Sequence, residues 1–170
     1  MTETLSPALP HDIEALVEAV LKAADAGGVS LATAESCTGG LVASVLTDVE
    51  GRSHVFERGY VVYTNDAKAE ELAVPLRLID QNGAVSEPVA RAMAEGALRT
   101  SGAGVALAVT GFAGRAGPGD EPGRVHFALA AAGAATVHEE HHFGDVGRGP
   151  CRIECLRVAL RLLLTAVTIR

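Results

Sequence analysis

The sequence predicts a three-layer α/β/α sandwich on a mixed, mostly parallel sheet. Three observations point there. Helix-type and strand-type segments alternate over the first two thirds of the chain, the pattern of crossover-connected strands. Two strand-type segments then follow one another directly, which makes the sheet mixed, and a long apolar helix closes the chain. Finally, the 170 residues are 48% hydrophobic but only 4% aromatic, so the core must be built from Ala, Val and Leu.

Each element has its own signal. Ile13, Leu16, Val17, Val20, Leu21 and Ala24 recur at helical spacing, with Asp12 as cap and Gly27-Gly28 as stop. "VSLATA" (29–34) reads as a buried strand, "GLVASVLTDV" (40–49) as a short helix, and "GYVVYT" (59–64) as a β-branched, aromatic strand. Residues 65–73 read as a helix capped by Asn65 or Asp66. Asn82-Gly83 signals a turn, and residues 86–102 form an amphipathic helix with a Ser cap and an early Pro. "VALAVTG" (105–111) is a buried strand, 111–123 a Gly/Pro-rich loop, and "RVHFALAA" and "ATVHEEHHF" are strands separated by Gly133. A helix runs from about Arg152 to Val167. Residues 1–10 read as a flexible tail and 11–170 as a single domain, without repeat or linker.

The formal net charge is −7, with no basic block, which argues against nucleic-acid binding by counterion displacement. The N-terminus lacks the basic start and apolar run of a signal peptide, and no window has 18 apolar residues. No membrane partner is expected. Three cysteines, Cys37, Cys151 and Cys155, do not make a disulfide framework, so a reducing cytoplasm is the expected location.

Ligand sites in such folds gather at the carboxyl ends of strands. Three polar clusters lie at such ends. The first, "ESCTGG" (35–40), places Ser36, Cys37 and Thr38 in a strand-to-helix turn. A nucleophile there meets free helix N–H groups and a favourable dipole, and the glycines let a substrate approach the backbone. By itself the turn reads more readily as a helix cap at Ser36 or Thr38, since caps are far commoner than catalytic serines, and it leaves Ser36 and Cys37 as alternative nucleophiles. The second cluster runs from Tyr63 to Lys68. Lys68 is one of two lysines against twelve arginines. A desolvated lysine can lose its proton and serve as base, whereas an arginine cannot. An ordinary solvated helix lysine explains Lys68 as well. The third cluster, Thr110 to Gly123, is a glycine-rich loop able to form an anion nest, without Walker or dinucleotide spacing.

Two metal-like motifs are set aside. "HEEHH" (138–142) matches H-E-x-x-H, but its flanks favour a strand, which would hold His138 and His142 about 13 Å apart at roughly 3.3 Å per residue. "CRIEC" (151–155) lacks partner ligands. Arg148 and Arg152, near the start of the last helix, suit either a phosphate or solvent.

Together, "LATAESCTGGLVASVLTDV…GYVVYTNDAKAEELAV", "NGAVSEPVARAMAEGAL" and "VALAVTGFAG" resemble the CinA C-terminal domain family, which includes nicotinamide mononucleotide (NMN) amidohydrolases. The resemblance covers about Ile13 to the last helix, in a stand-alone form. It implies hydrolysis of NMN, a small pyridine nucleotide, to nicotinate mononucleotide and ammonia, with no metal and no cofactor. The catalytic serine falls on Ser36, and the tyrosine and lysine on Tyr63 and Lys68. Residues expected near substrate are Glu35, Thr38, Gly39, Gly40, Thr110, Gly111, Ala113, Gly114 and Arg148, with N–H groups from Thr38 to Gly40 holding the oxyanion. The family and the apolar last helix point to a homodimer. The chain departs from the family at Arg115, where proline is usual, and in a shortened Pro122-Gly123-Arg124-Val125 segment. That altered loop keeps two other functions in view: a non-catalytic nucleotide-sensing or protein-interaction module, and an amidase for a different carboxamide.

Overall fold

The computed structural model describes residues 9–114 and 117–169. The order is α1 (His11–Gly27), β1 (Leu31–Glu35), α2 (Leu41–Leu46), β2 (Phe56–Val61), α3 (Asn65–Leu72), α4 (Leu76–Asn82), α5 (Glu87–Ser101), β3 (Val105–Gly111), β4 (Arg124–Ala131), β5 (Val137–His142) and α6 (Arg148–Thr168). The five strands form one sheet in the order β2-β1-β3-β4-β5. β1 lies parallel to β2 and β3, while β4 is antiparallel to β3 and β5. The predicted three-layer sandwich with a mixed sheet is the fold, and β4 alone runs against the other strands.

Strand alternation divides the core in two. Val105, Leu107 and Val109 of β3 and Val125, Phe127 and Leu129 of β4 pack with α1, α2 and α6. On the opposite face, Ala106, Ala108, Ala128 and Ala130 meet Val89, Ala90, Met93, Ala94 and Ala97 of α5. That alanine surface lets α5 lie close to the sheet. The same closeness recurs beside it: a Cβ added at Gly96 would stand 2.1 Å from the Leu72 carbonyl oxygen. Gly96→Ala must therefore push α5 off the end of α3. It is expected to cost about 1–3 kcal/mol, the scale of overpacking, measured by denaturant unfolding.

The structure differs from the sequence reading at several boundaries. α4 was not foreseen; its seven residues bury only Ile79, too little to print a helical stripe. β2 begins at Phe56 because it is an edge strand with exposed Glu57 and Arg58, which mask the strand pattern. α3 is capped by Thr64, whose Oγ1 accepts from the Ala67 N–H at 3.1 Å, not by Asn65 or Asp66. α1 starts at His11 after Pro10 rather than being capped by Asp12. α2 ends at Leu46, before the expected limit at residue 49. α6 starts at Arg148, one turn early, since Pro150 is tolerated in a first turn. The expected tail falls largely on residues 1–8, and Arg115 is likewise outside the described residues. Among the described residues, no helix is long and apolar enough to cross a membrane.

Candidate active site

The three polar clusters meet at the carboxyl edge of β1, β2 and β3. The chain leaves β1 still paired to β3, the Ser36 N–H donating to the Val109 carbonyl at 3.0 Å. It then turns through Gly39 and Gly40, both left-handed at φ +62° and +90°, into α2. Only glycine adopts both conformations without strain.

Glu35 holds this turn from inside. It is fully buried, and its carboxylate accepts from the N–H groups of Gly40 (3.1 Å), Val42 (3.0 Å) and Ala43 (2.8 Å). The capping role weighed for Ser36 and Thr38 thus belongs to Glu35, because a carboxylate satisfies several helix N–H groups at once. This corrects two expectations. Glu35 has both oxygens occupied by backbone and is a support of the turn rather than a substrate contact. The Gly39 N–H donates to the Ser36 carbonyl at 3.1 Å and the Gly40 N–H to Glu35, so neither is free for an oxyanion. Nor does the α2 dipole face the cleft uncompensated. Among the described residues, the Cys37 and Thr38 N–H groups of the turn have no acceptor.

Lys68 comes from α3 on the other side of the turn and is only 1% exposed. Its Nζ donates to the Val62 carbonyl (3.0 Å), the Ser36 Oγ (3.3 Å) and the Tyr63 carbonyl (3.5 Å). Burial lowers its pKa from the ordinary lysine value. The reading of Lys68 as a solvated helix residue is thereby excluded. Ser36 and Cys37 separate by direction: Ser36 meets Lys68, while Cys37 is 3% exposed and packs in the α1/α2/α6 core.

Tyr63 does not join that pair through its side chain. It is 60% exposed, and its hydroxyl accepts from Arg148 Nη2 at 3.2 Å. Tyr63 and Arg148 thus form a rim, flanked by Gly114, where a Cβ would lie 3.5 Å from the Arg148 Cβ. Arg152, which the sequence left undecided, donates to the Thr38 carbonyl and ties α6 to the turn. Its spacing of one helical turn from Arg148 was the available signal. Thr38 is fully buried, and its Oγ1 is without a hydrogen-bond partner among the described residues.

Three other expected substrate contacts have partners within the chain. The Thr110 hydroxyl donates to the Ala84 carbonyl at 2.8 Å. Gly111 is required by close strand packing, since a Cβ there would stand 2.6 Å from the Val125 Cγ2. Ala113 is buried in the core. Beyond Gly111 the loop closes on itself: the Phe112 N–H donates to the Arg124 carbonyl and the Gly123 N–H to the Phe112 carbonyl. The "HEEHH" segment lies on β5, as expected, and His138 Nε2 sits 3.0 Å from His126 Nδ1 of β4.

Fold and site together define an α/β-sandwich protein that presents a serine and a desolvated lysine at the carboxyl end of its sheet. The chain belongs to the CinA C-terminal domain family, whose model matches residues 13–167. Nicotinamide-nucleotide amidohydrolase PncC of Escherichia coli K12 is 44% identical over 151 residues, 87% of this chain and 90% of that protein. A CinA-like protein of Anaeromyxobacter sp. strain K is 44% identical over 154 residues. The chain spans 25–37% of the length of that relative and four others of similar kind. Among solved structures, the competence/damage inducible protein CihA from Agrobacterium tumefaciens matches with a TM-score of 0.89 and 43% identity, covering 94% of this chain and 97% of that one.

Proposed function

We propose that this chain hydrolyses the carboxamide of NMN to nicotinate mononucleotide and ammonia, with Ser36 as nucleophile and Lys68 as base. The observation that carries the reading is the 3.3 Å contact between Ser36 Oγ and a lysine amine withdrawn from water. The E. coli relative, a nicotinamide-nucleotide amidohydrolase matched over 90% of its length, supports this choice of substrate.

In this mechanism the neutral Lys68 amine takes the Ser36 proton as Oγ attacks the carboxamide carbon. The Cys37 and Thr38 N–H groups receive the developing oxyanion. Collapse of the tetrahedral adduct breaks the C–N bond, and the Lys68 ammonium returns the proton to the departing nitrogen as ammonia. Water, deprotonated by Lys68, then attacks the ester, and the Ser36 oxygen leaves with that proton. Tyr63 contributes through its carbonyl, which helps hold Nζ, and through its hydroxyl on Arg148. The Arg148 guanidinium at the rim meets the phosphate.

Purified chain incubated with NMN is expected to release ammonia and nicotinate mononucleotide in equal amounts. No ammonia from folded protein at high concentration overturns the reading in favour of a non-catalytic module, and ammonia from other carboxamides alone reassigns the substrate. Arg148→Ala is expected to raise KM for NMN at least about tenfold with little change in kcat, since it removes binding common to ground and transition states. Steady-state kinetics check it; a fall in kcat at unchanged KM removes Arg148 from the binding role.

A further inference from the structure

A file of histidines and glutamates crosses β4 and β5 on the side of the sheet that carries α5. At its centre His126 Nδ1 of β4 lies 3.0 Å from His138 Nε2 of β5. The ring centroids are 5.3 Å apart and the planes differ by 23°, so the rings meet edge to edge along the line of that contact. The outer nitrogens face carboxylates: His126 Nε2 is 3.8 Å from Glu140, and His138 Nδ1 is 3.6 Å from Glu87, the first residue of α5. His142 extends the file, between Glu140 (3.3 Å) and Glu121 (2.8 Å). The two central side chains are withdrawn from water, 6% and 10% exposed. Among the described residues, the other charged groups beside them are Arg124 of β4 and Arg91 of α5, which donates to Glu87 at 2.7 Å. From β3 the pair meets the neutral Thr110, directly across from His126.

We propose that His126 and His138 form an acid-operated clasp, which holds β5 to α5 around one shared proton and is forced open by a second proton between the rings. Proton counting carries this. The neutral pair has one proton on each ring, and one of these lies between the facing nitrogens, donated by one and accepted by the other. A further proton takes the free outer nitrogen, where it faces Glu87 or Glu140, and leaves the contact whole. The next has only a facing nitrogen left. Two N–H groups then point at each other with no acceptor, two cations adjoin, and the rings must part. Burial acts in the same direction, lowering the pKa of His126 from its ordinary 6.5 with Glu140 in opposition. The unfolded chain accepts a proton that the closed clasp refuses, so stability is lost as pH falls from 6.5 through the lowered value.

The opening is local. α5 meets β5 through a polar stripe: Glu87 with His138, Arg91 with the Thr136 carbonyl, and Glu95 with the Thr136 hydroxyl. β5 is an edge strand paired to β4, so parting the rings loosens its hold on the helix. Thr110, across from His126, holds the Ala84 carbonyl just before α5, which places the clasp one strand away from the candidate active site. Neither Ser36 nor Lys68 takes part in it.

The test compares urea unfolding of the full chain and of His138→Gln from about pH 7.5 to about pH 5. The glutamine amide can donate to His126 Nδ1 or, turned over, accept from it, and carries no charge. Over the unit of pH below 6.5, the folded-to-unfolded ratio of the parent is expected to fall further than that of the variant, by up to about tenfold, the limit for one proton. Parallel profiles overturn the clasp. Nitrogen-15 spectra of the parent's imidazoles give a second measurement that stands whether or not the variant folds. At about pH 7.5 one facing nitrogen should carry a proton and the other none. On acidification, protonation of both should coincide with amide exchange in β5 and the first turn of α5 that is faster than the intrinsic pH dependence allows. Two histidines titrating independently, with exchange unchanged, overturn the clasp as well.

Discussion

Ser36→Ala is expected to abolish ammonia release from NMN, by at least about 10⁴-fold in kcat, the scale on which loss of a nucleophile is felt. The fold should be unaffected. Ser36 is half-buried, its backbone N–H keeps the bond to Val109, and the turn is held by Glu35 and Arg152 rather than by the Ser36 hydroxyl. Cys37→Ala is the paired control. Its side chain packs in the core away from the Ser36–Lys68 contact, and most activity should remain. Ammonia assays beside thermal melts decide the pair. Activity lost with Cys37 and kept without the Ser36 hydroxyl would reverse the assignment.

Lys68→Met is expected to produce the second large effect, a fall of about 10²–10⁴-fold, the range for removal of a general base. Lys68→Arg should be equally inactive, because a guanidinium keeps its proton. The pH dependence has a definite sign. The pKa of Lys68 is lowered by burial, so activity rises with pH as the ammonium deprotonates and levels above the lowered pKa. Stability follows the same displacement. The unfolded chain binds the Lys68 proton more tightly than the folded one, so stability rises with pH from the lowered pKa toward the ordinary value of 10.5. Lys68→Met should remove both the activity limb and this stability slope without lowering Tm near neutral pH. A variant that melts much earlier than the parent would show the amine to be a structural anchor instead.

The sequence made the layers and the Ser36–Lys68 pairing legible for different reasons. The layers follow from periodicity, which a five-strand sheet with six helices prints strongly. The pair emerged from rarity and resemblance: one of two lysines, at a family spacing from one serine. What stayed hidden was side-chain direction. Tyr63 adjoins Val62 at the end of a strand, and only the fold shows its ring turned to the rim while its carbonyl faces Lys68. Glu35 looked like a site residue because it stands beside the nucleophile. Strand alternation sends it to the opposite face, under α2. Arg152 gave a pattern with two readings, and its partner, a backbone carbonyl, has no sequence signature. α4 escaped because seven residues with one buried side chain carry no detectable period.

Strand order has a consequence for how such a protein changes over time. From β1 the chain goes to β2 on one side, and β3 lies on the other; the connections that follow β1 and β2 depart to opposite faces of the sheet, leaving a natural opening beyond their ends. Ser36 stands at that opening because of topology, before any side chain shapes it. The base of the loop beyond Gly111 is fastened by its own backbone bonds, apart from the turn that carries Ser36. Substitution in that loop can proceed without disturbing the Ser36–Lys68 contact. The place of the Ser36–Lys68 pair and the make-up of the loop are thus two separable inheritances, one fixed by connectivity and the other free to vary.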